Sequence, residues 1–297
     1  MWSSQPRKNL RRDDHAISPA ISTVIMTATL IVLVFVAMSF ANTSLTAQLA
    51  GDEFNANKQF MQSTGQQIDD VAWTIGRTET VDYTAKYGQV TFEPSVINYT
   101  VEINTGSLSQ PVWYTVYNFT TGMILFNMPV NDYSLGTNYF SRIIPSDNGS
   151  YLQWNASAPV CQVFATQVAP MQDGSYARIV AVPTVRALNS TLITAAGNLN
   201  CYTFYLPSLV SGFNPYLSQS VTLTGINLTD LTPSGNIVQV RINATALAGA
   251  STPPGFNQAF FNFDHTSETA AIMSSGSVSP LVEFYIGTVE VSIGMAT

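Results

Sequence analysis

Residues 13–40, DDHAISPAISTVIMTATLIVLVFVAMSF, decide the architecture of this chain. From Ile17 to Phe40 the run is 24 residues long and carries no charge. At about 1.5 Å per residue it makes a helix of roughly 36 Å, enough to cross the hydrocarbon core of a bilayer. A secretory signal peptide has a shorter apolar region and a small-residue cleavage site after it, so this run is expected to stay on the protein. Arg7, Lys8, Arg11 and Arg12 precede it, whereas the forty residues after it hold only Lys58 and Arg77. The positive-inside rule then puts the N-terminus in the cytoplasm and everything after Phe40 outside.

The string DDHAISPAISTVI resembles the start of archaeal type IV pilins, in the haloarchaeal pattern of two acidic residues, a basic one, a small one and an apolar-Ser-Pro triplet before the hydrophobic helix. His15 stands where that pattern has Arg or Lys. The resemblance covers the first 40 residues. It implies cleavage by a prepilin peptidase between Ala16 and Ile17, and a mature chain that begins ISPAIS and keeps its hydrophobic helix. It also implies copies of the same chain and a pilus assembly machinery as partners. The implied function is that of a structural subunit of an extracellular filament, for surface adhesion. An uncleaved, signal-anchored adhesin or envelope protein and an archaellin-like filament subunit are the alternatives.

The helical pattern continues past Phe40. Phe54, Met61, Ile68 and Ile75 recur every seven residues, flanked by Phe60, Val71 and Ala72, with polar residues between. One helix is therefore expected from Ile17 to about Ile75, roughly 90 Å long, with Gly51 and Gly65 as kink points. Pro19 falls in its first turn, where a missing N–H costs little. Ser22, Thr23, Thr27, Thr29 and Ser39 can place their hydroxyls on backbone carbonyls.

After Gly76 the period changes to two. In VINYTVEI, Ile97, Tyr99, Val101 and Ile103 share one face; in IVQVRINA, Val238, Val240 and Ile242 do. Further strands are expected at 87–92, 112–119, 160–168, 175–182, 200–206, 220–226 and 284–293. Turn formers separate them. Residues 246–279 read as a long loop with AFFNF (259–263) as a buried anchor. The expected fold is α+β, a long N-terminal helix followed by a mainly antiparallel, Ig-like β-sandwich head. The boundaries are 1–16 leader, 17–76 helix (17–40 spanning, 41–76 amphipathic) and 77–297 head, in one or two subdomains.

With 46% hydrophobic and 10% charged residues among 297, the chain lies outside the disordered class. Its formal charge is −7; loss of residues 1–16 would leave 7 basic and 16 acidic residues, or −9. An acidic exterior argues against nucleic acid. Cys161 and Cys201 lie in the part expected outside, where an even pair favours a disulfide over two buried thiols. Such a bridge would close a loop of about 40 residues and contribute on the order of 3–4 kcal/mol.

Eight Asn-X-Ser/Thr sequons occur, where about four would arise by chance. Asn98, Asn118, Asn148, Asn155, Asn189, Asn227 and Asn243 are candidate glycosylation sites; Asn42 lies too near the membrane run. Chemistry-bearing patterns are scarce. His265 beside Asp264 has no nucleophile elbow to serve, the cysteines lack metal spacing, and no Gly-rich phosphate loop occurs, so no enzyme activity, cofactor or metal is expected. Asp69 and Asp70 are adjacent on a helix and point apart. Trp113, Tyr114, Tyr117, Phe119, Tyr202, Phe204 and Tyr205 concentrate in strands, where cross-strand packing is favoured over a sugar-binding platform.

Overall fold

The computed structural model describes residues 14–145, 149–154, 157–167, 175–195, 197–213, 219–247, 256–273 and 279–294, with side chains from residue 21 onward. One helix, α1 (Asp14–Ala72), runs for 59 residues. Its described part includes the expected start at Ile17 and ends three residues before Ile75, which is exposed in the turn that follows. The chain divides into two units, Met1–Leu49 and Ala50–Thr297. The part of α1 from Ala50 to Ala72 thus belongs to the same unit as the strands.

In the first unit, every residue from 21 to 49 is exposed. Its threonines fold their hydroxyls onto the preceding turn: Thr27 Oγ1 donates to Thr23 O at 2.9 Å and Thr29 Oγ1 to Ile25 O at 2.7 Å. Thr43 and Thr46 do the same to Ser39 O and Asn42 O. Satisfied in this way, the hydroxyls need no water, and the stretch stays compatible with an apolar surrounding.

The second unit contains two curled, mostly antiparallel sheets. Across one sheet run β1 (Thr78–Asp82), β10 (Ser220–Leu231), β13 (Leu281–Gly294), β9 (Gly197–Ser211), β8 (Val185–Thr194) and β5 (Leu152–Trp154). Across the other run β12 (Ser267–Ala271), β11 (Gln239–Ala246), β2 (Gln89–Asn104), β3 (Trp113–Pro129), β7 (Tyr176–Pro183), β6 (Cys161–Gln167) and β4 (Tyr139–Ile144). Two pairings, β9 with β13 and β5 with β8, are parallel. The expected Ile97, Tyr99, Val101, Ile103 face is buried, as are Val240 and Ile242. The stretches 87–92 and 97–103 form one strand, β2, with an irregular register between Glu93 and Ile97 and Ser95 at φ 56°. Within the region expected to be loop lie a short helix, α2 (Gln258–Phe261), and β12; Phe260 and Phe261 are buried as the expected anchor.

Two cores hold this unit. One joins the sheets through Tyr99, Leu125, Val180, Phe204 and Phe284, closed by Phe256, Phe260 and Phe261. The other is built on α1: Phe54, Met61, Ile68 and Val71 pack with Phe126, Val163 and Ile179 of one sheet and Leu209, Val221, Leu223, Val289 and Val291 of the other. Central strands β3, β6 and β7 therefore serve a different core on each face, which is why the segment 123–128 and all of β6 are buried without alternation.

Gly65 acts in this packing: a Cβ there would stand 3.1 Å from Val163 Cγ2 and 3.5 Å from Cys161 Sγ. At the helix end the approach is backbone to backbone. A Cβ on Gly287 would lie 2.3 Å from Ala72 O, and one on Gly225 2.5 Å from Val71 O. Gly76 N donates to Gly225 O at 2.7 Å and Gly225 N to Arg77 O at 2.9 Å, fastening the helix exit to β10. Glu53 fastens the other end of this segment, its carboxylate accepting from the N–H groups of Lys86, Tyr87 and Gly88 at 3.0–3.2 Å.

Gly287→Ala should destabilise this unit by about 1–3 kcal/mol, since backbone atoms rather than a flexible side chain must yield. Glu53→Ala, which strips three N–H groups of their acceptor, should cost a similar ~1–3 kcal/mol. Thermal unfolding of the detergent-solubilised chain, followed by far-UV circular dichroism, checks both; wild-type midpoints would mean that the helix is not a fixed part of this core.

Candidate functional site

The residues from Ile21 to Phe40 include thirteen large apolar side chains that are exposed, from Val34 at 45% to Phe40 at 77%. Fully burying such a side chain is worth about 1.5–3 kcal/mol, so leaving all of them in water costs on the order of 20–40 kcal/mol. The whole stability of a domain is about 5–15 kcal/mol. An apolar surrounding, lipid or other helices, would recover that free energy. The helix is long and apolar enough to cross a membrane, and no charged residue occurs from Ile17 until Asp52.

Ala16 and Ile17, the expected cleavage junction, lie in the first turns of α1. Of the candidate sequons, Asn148 and Asn155 are outside the described residues. Asn118, Asn189 and Asn227 are exposed. Asn98 and Asn243 are half-buried, and their amide nitrogens are already engaged: Asn98 Nδ2 donates to Thr100 Oγ1 at 3.3 Å, and Asn243 Nδ2 to Glu102 Oε2 at 2.8 Å. Arg241 Nε holds the same Glu102 oxygen at 2.7 Å and lies over the Trp113 ring at 4.0 Å. Three sequons meet on this face. The register pairs Thr100 with both Asn118 and Asn243, and Asn98 with both Thr120 and Thr245.

The expected disulfide is not present. Cys161 and Cys201 are both free and buried. They lie in different sheets, Cys161 in β6 packed into the core around α1 and Cys201 in β9 opposite Ser190 and Leu281. Each thiol is enclosed by its own sheet, so the even count alone was misleading. Burial pushes the Cys161 thiol well above its ordinary pKa.

His265 and Asp264 are exposed side by side on the approach to β12. Asp69 and Asp70 do turn apart, Asp69 Oδ2 to Arg186 Nη1 at 2.6 Å and Asp70 Oδ2 to Arg77 Nη2 at 3.9 Å. No group of three or more His, Cys, Asp or Glu residues able to hold a metal ion occurs among the described residues. Of the strand aromatics, Tyr202 and Phe204 are buried in the expected way, whereas Tyr114 is exposed and Tyr205 stays half-buried at the margin of the core built on α1. Trp73, Glu283 and Tyr285, which join Tyr205 at the exit of α1, carry no motif or periodicity that marks them in sequence.

Compared with family models, curated proteins and solved structures, the chain shows no significant match.

The purified protein should carry two titratable thiols after unfolding and show the same electrophoretic mobility with and without reductant. Alkylation of Cys161 in the folded state should be slow, because burial raises its pKa and keeps the reactive thiolate scarce. A two-dalton mass increase on reduction would instead establish a bridge.

Proposed function

We propose that this chain is the subunit of an extracellular filament of the archaeal type IV pilin kind. In this reading it is inserted as a membrane precursor, cut between Ala16 and Ile17, and assembled through its N-terminal helix. The observation that carries it is the uncovered, charge-free helix from Ile21 to Phe40, joined to a second helical half that is consumed by the head's own core. Withdrawing such a helix from lipid is tolerable only if equivalent helices replace the lipid around it. With no charge in the run, packing sets the register between copies. The short polar side chains help here, because Ser and Thr let helices approach closely. The head then forms the outer surface, with an Ig-like layering of its two sheets as the finer fold assignment and surface adhesion as its role.

A second reading, an uncleaved signal anchor that displays the same head, is favoured by one observation. Asp14 to Ile17 are all in helix α1, so the Ala16–Ile17 bond lies within a helix that a peptidase would have to unwind.

Leu33→Lys tests the assembly role. A lysine at the centre of the run costs about 2.5–3.5 kcal/mol in a membrane and more against packed helices, and should reduce the subunit in the shear-released, sedimentable surface fraction at least tenfold. Wild-type yield in that fraction would contradict a core role for the helix. For glycosylation, Asn118→Gln should remove one glycan mass from the surface form. Asn243→Gln should leave the mass unchanged, since its amide nitrogen is held by Glu102. Intact mass spectrometry separates the two, and glycan loss with Asn243→Gln only would overturn the ranking by exposure.

A further inference from the structure

Helix α1 covers its sheet only as far as Gly287, where Ala72 O closes on the strand. Beyond that point the same face of β9 and β13 is open, and a cleft of about 290 Å³ forms there, lined by Trp73, Thr203, Tyr205, Leu228, Glu283 and Tyr285. All six are half-buried, which makes them reachable yet held.

The rings are fixed by partners from four elements. Trp73 Nε1 donates to Asp69 Oδ1 at 2.7 Å, and Asp69 Oδ2 accepts from Arg186 Nη1 at 2.6 Å. The Arg186 guanidinium lies over Tyr205 at 4.8 Å, Trp73 meets Tyr205 edge-on at 5.0 Å, and Tyr205 stacks on Tyr285 at 5.6 Å. The register extends this row from Arg186 through Tyr205 and Tyr285 to Asp230; the next row holds Leu188, Thr203 and Glu283. Such pre-ordering lowers the entropy cost of binding.

The polar groups decide the ligand class. Thr203 and the two tyrosines offer hydroxyls, which both donate and accept, and Glu283 offers a carboxylate. Arg186 is neutralised by Asp69. With Glu283 lining the cleft, Asp230 beside Tyr285 in the register, and no ion pair found for either among the described residues, a negative ligand is repelled. A flat ligand with an apolar face, several hydroxyls and no negative charge fits both the rings and the rim.

We infer that this cleft binds a neutral pyranose residue, its C–H face against the aromatic rings and its hydroxyls on Glu283 and Thr203. The inference rests on the proposed function only in taking the head to face outward, where glycans occur.

The test is a glycan array probed with the detergent-solubilised, labelled full chain, which needs neither cleavage nor filament assembly. Its failure would leave the filament reading standing, and failure of the filament reading would not affect the array. Glycans ending in neutral hexoses should be retained at least about tenfold above those ending in uronic acids, a difference of about 1.4 kcal/mol. Glu283→Gln, which keeps shape and removes charge, should narrow that discrimination severalfold. Trp73→Ala should abolish retention, with circular dichroism verifying its fold. Absence of retention overturns the inference, as do equal retention by wild type and Glu283→Gln at every glycan class, and preferential binding of choline, which would mark an aromatic cage for cations.

Discussion

The structure depends on one packing constraint: the stripe of Phe54, Met61, Ile68 and Val71 must be buried against two sheets at once. Neither sheet has another element to cover those faces among the described residues. The helix supplies the apolar surface, and the strands answer with glycines where the backbones meet, Gly225 and Gly287 at the helix end, while Gly65 on the helix makes room for the Val163 and Cys161 side chains. Glu53 then ties the β1–β2 connection to the helix through three backbone N–H groups. Without this helical segment the second core would be exposed on both sheets, so the head and the lower half of α1 fold as one body.

The upper half of α1 obeys the opposite rule. From Ile21 to Phe40 it is largely apolar and carries no charge, and nothing among the described residues buries residues 21–49. The changeover falls between Leu49, which is exposed, and Ala50, which is buried, and is followed at once by the first charges, Asp52 and Glu53. A single secondary-structure element thus has two environments, one satisfied within the chain and one left open among the described residues.

Much of this was legible in sequence, and the rest was hidden for physical reasons. The seven-residue spacing of Phe54, Met61 and Ile68 revealed the buried stripe, but Ile75 fell on the same spacing by coincidence, since the chain turns at Trp73. Alternation exposed β2 and β11. It failed for the 123–128 segment of β3, whose two faces serve two cores and so lack a period of two. Short polar β1 and β12 gave no hydrophobic signal because they are edge strands. The cysteine pair invited a bridge, but both thiols are free and buried in separate sheets, a placement that an even count does not reveal. The aromatic cleft draws on Trp73, Tyr205 and Tyr285, residues brought together by the parallel pairing of β9 with β13 and by the helix exit, neither of which a linear pattern can announce.

The central claim is that the uncovered half of α1 is delivered to copies of itself after the leader is removed. N-terminal sequencing and intact mass of the protein sheared from its native cells test this most directly. The account predicts a chain beginning at Ile17 in a sedimentable, shear-released fraction. A chain beginning at Met1 or Trp2 and confined to the membrane fraction would contradict it and leave a signal-anchored surface protein.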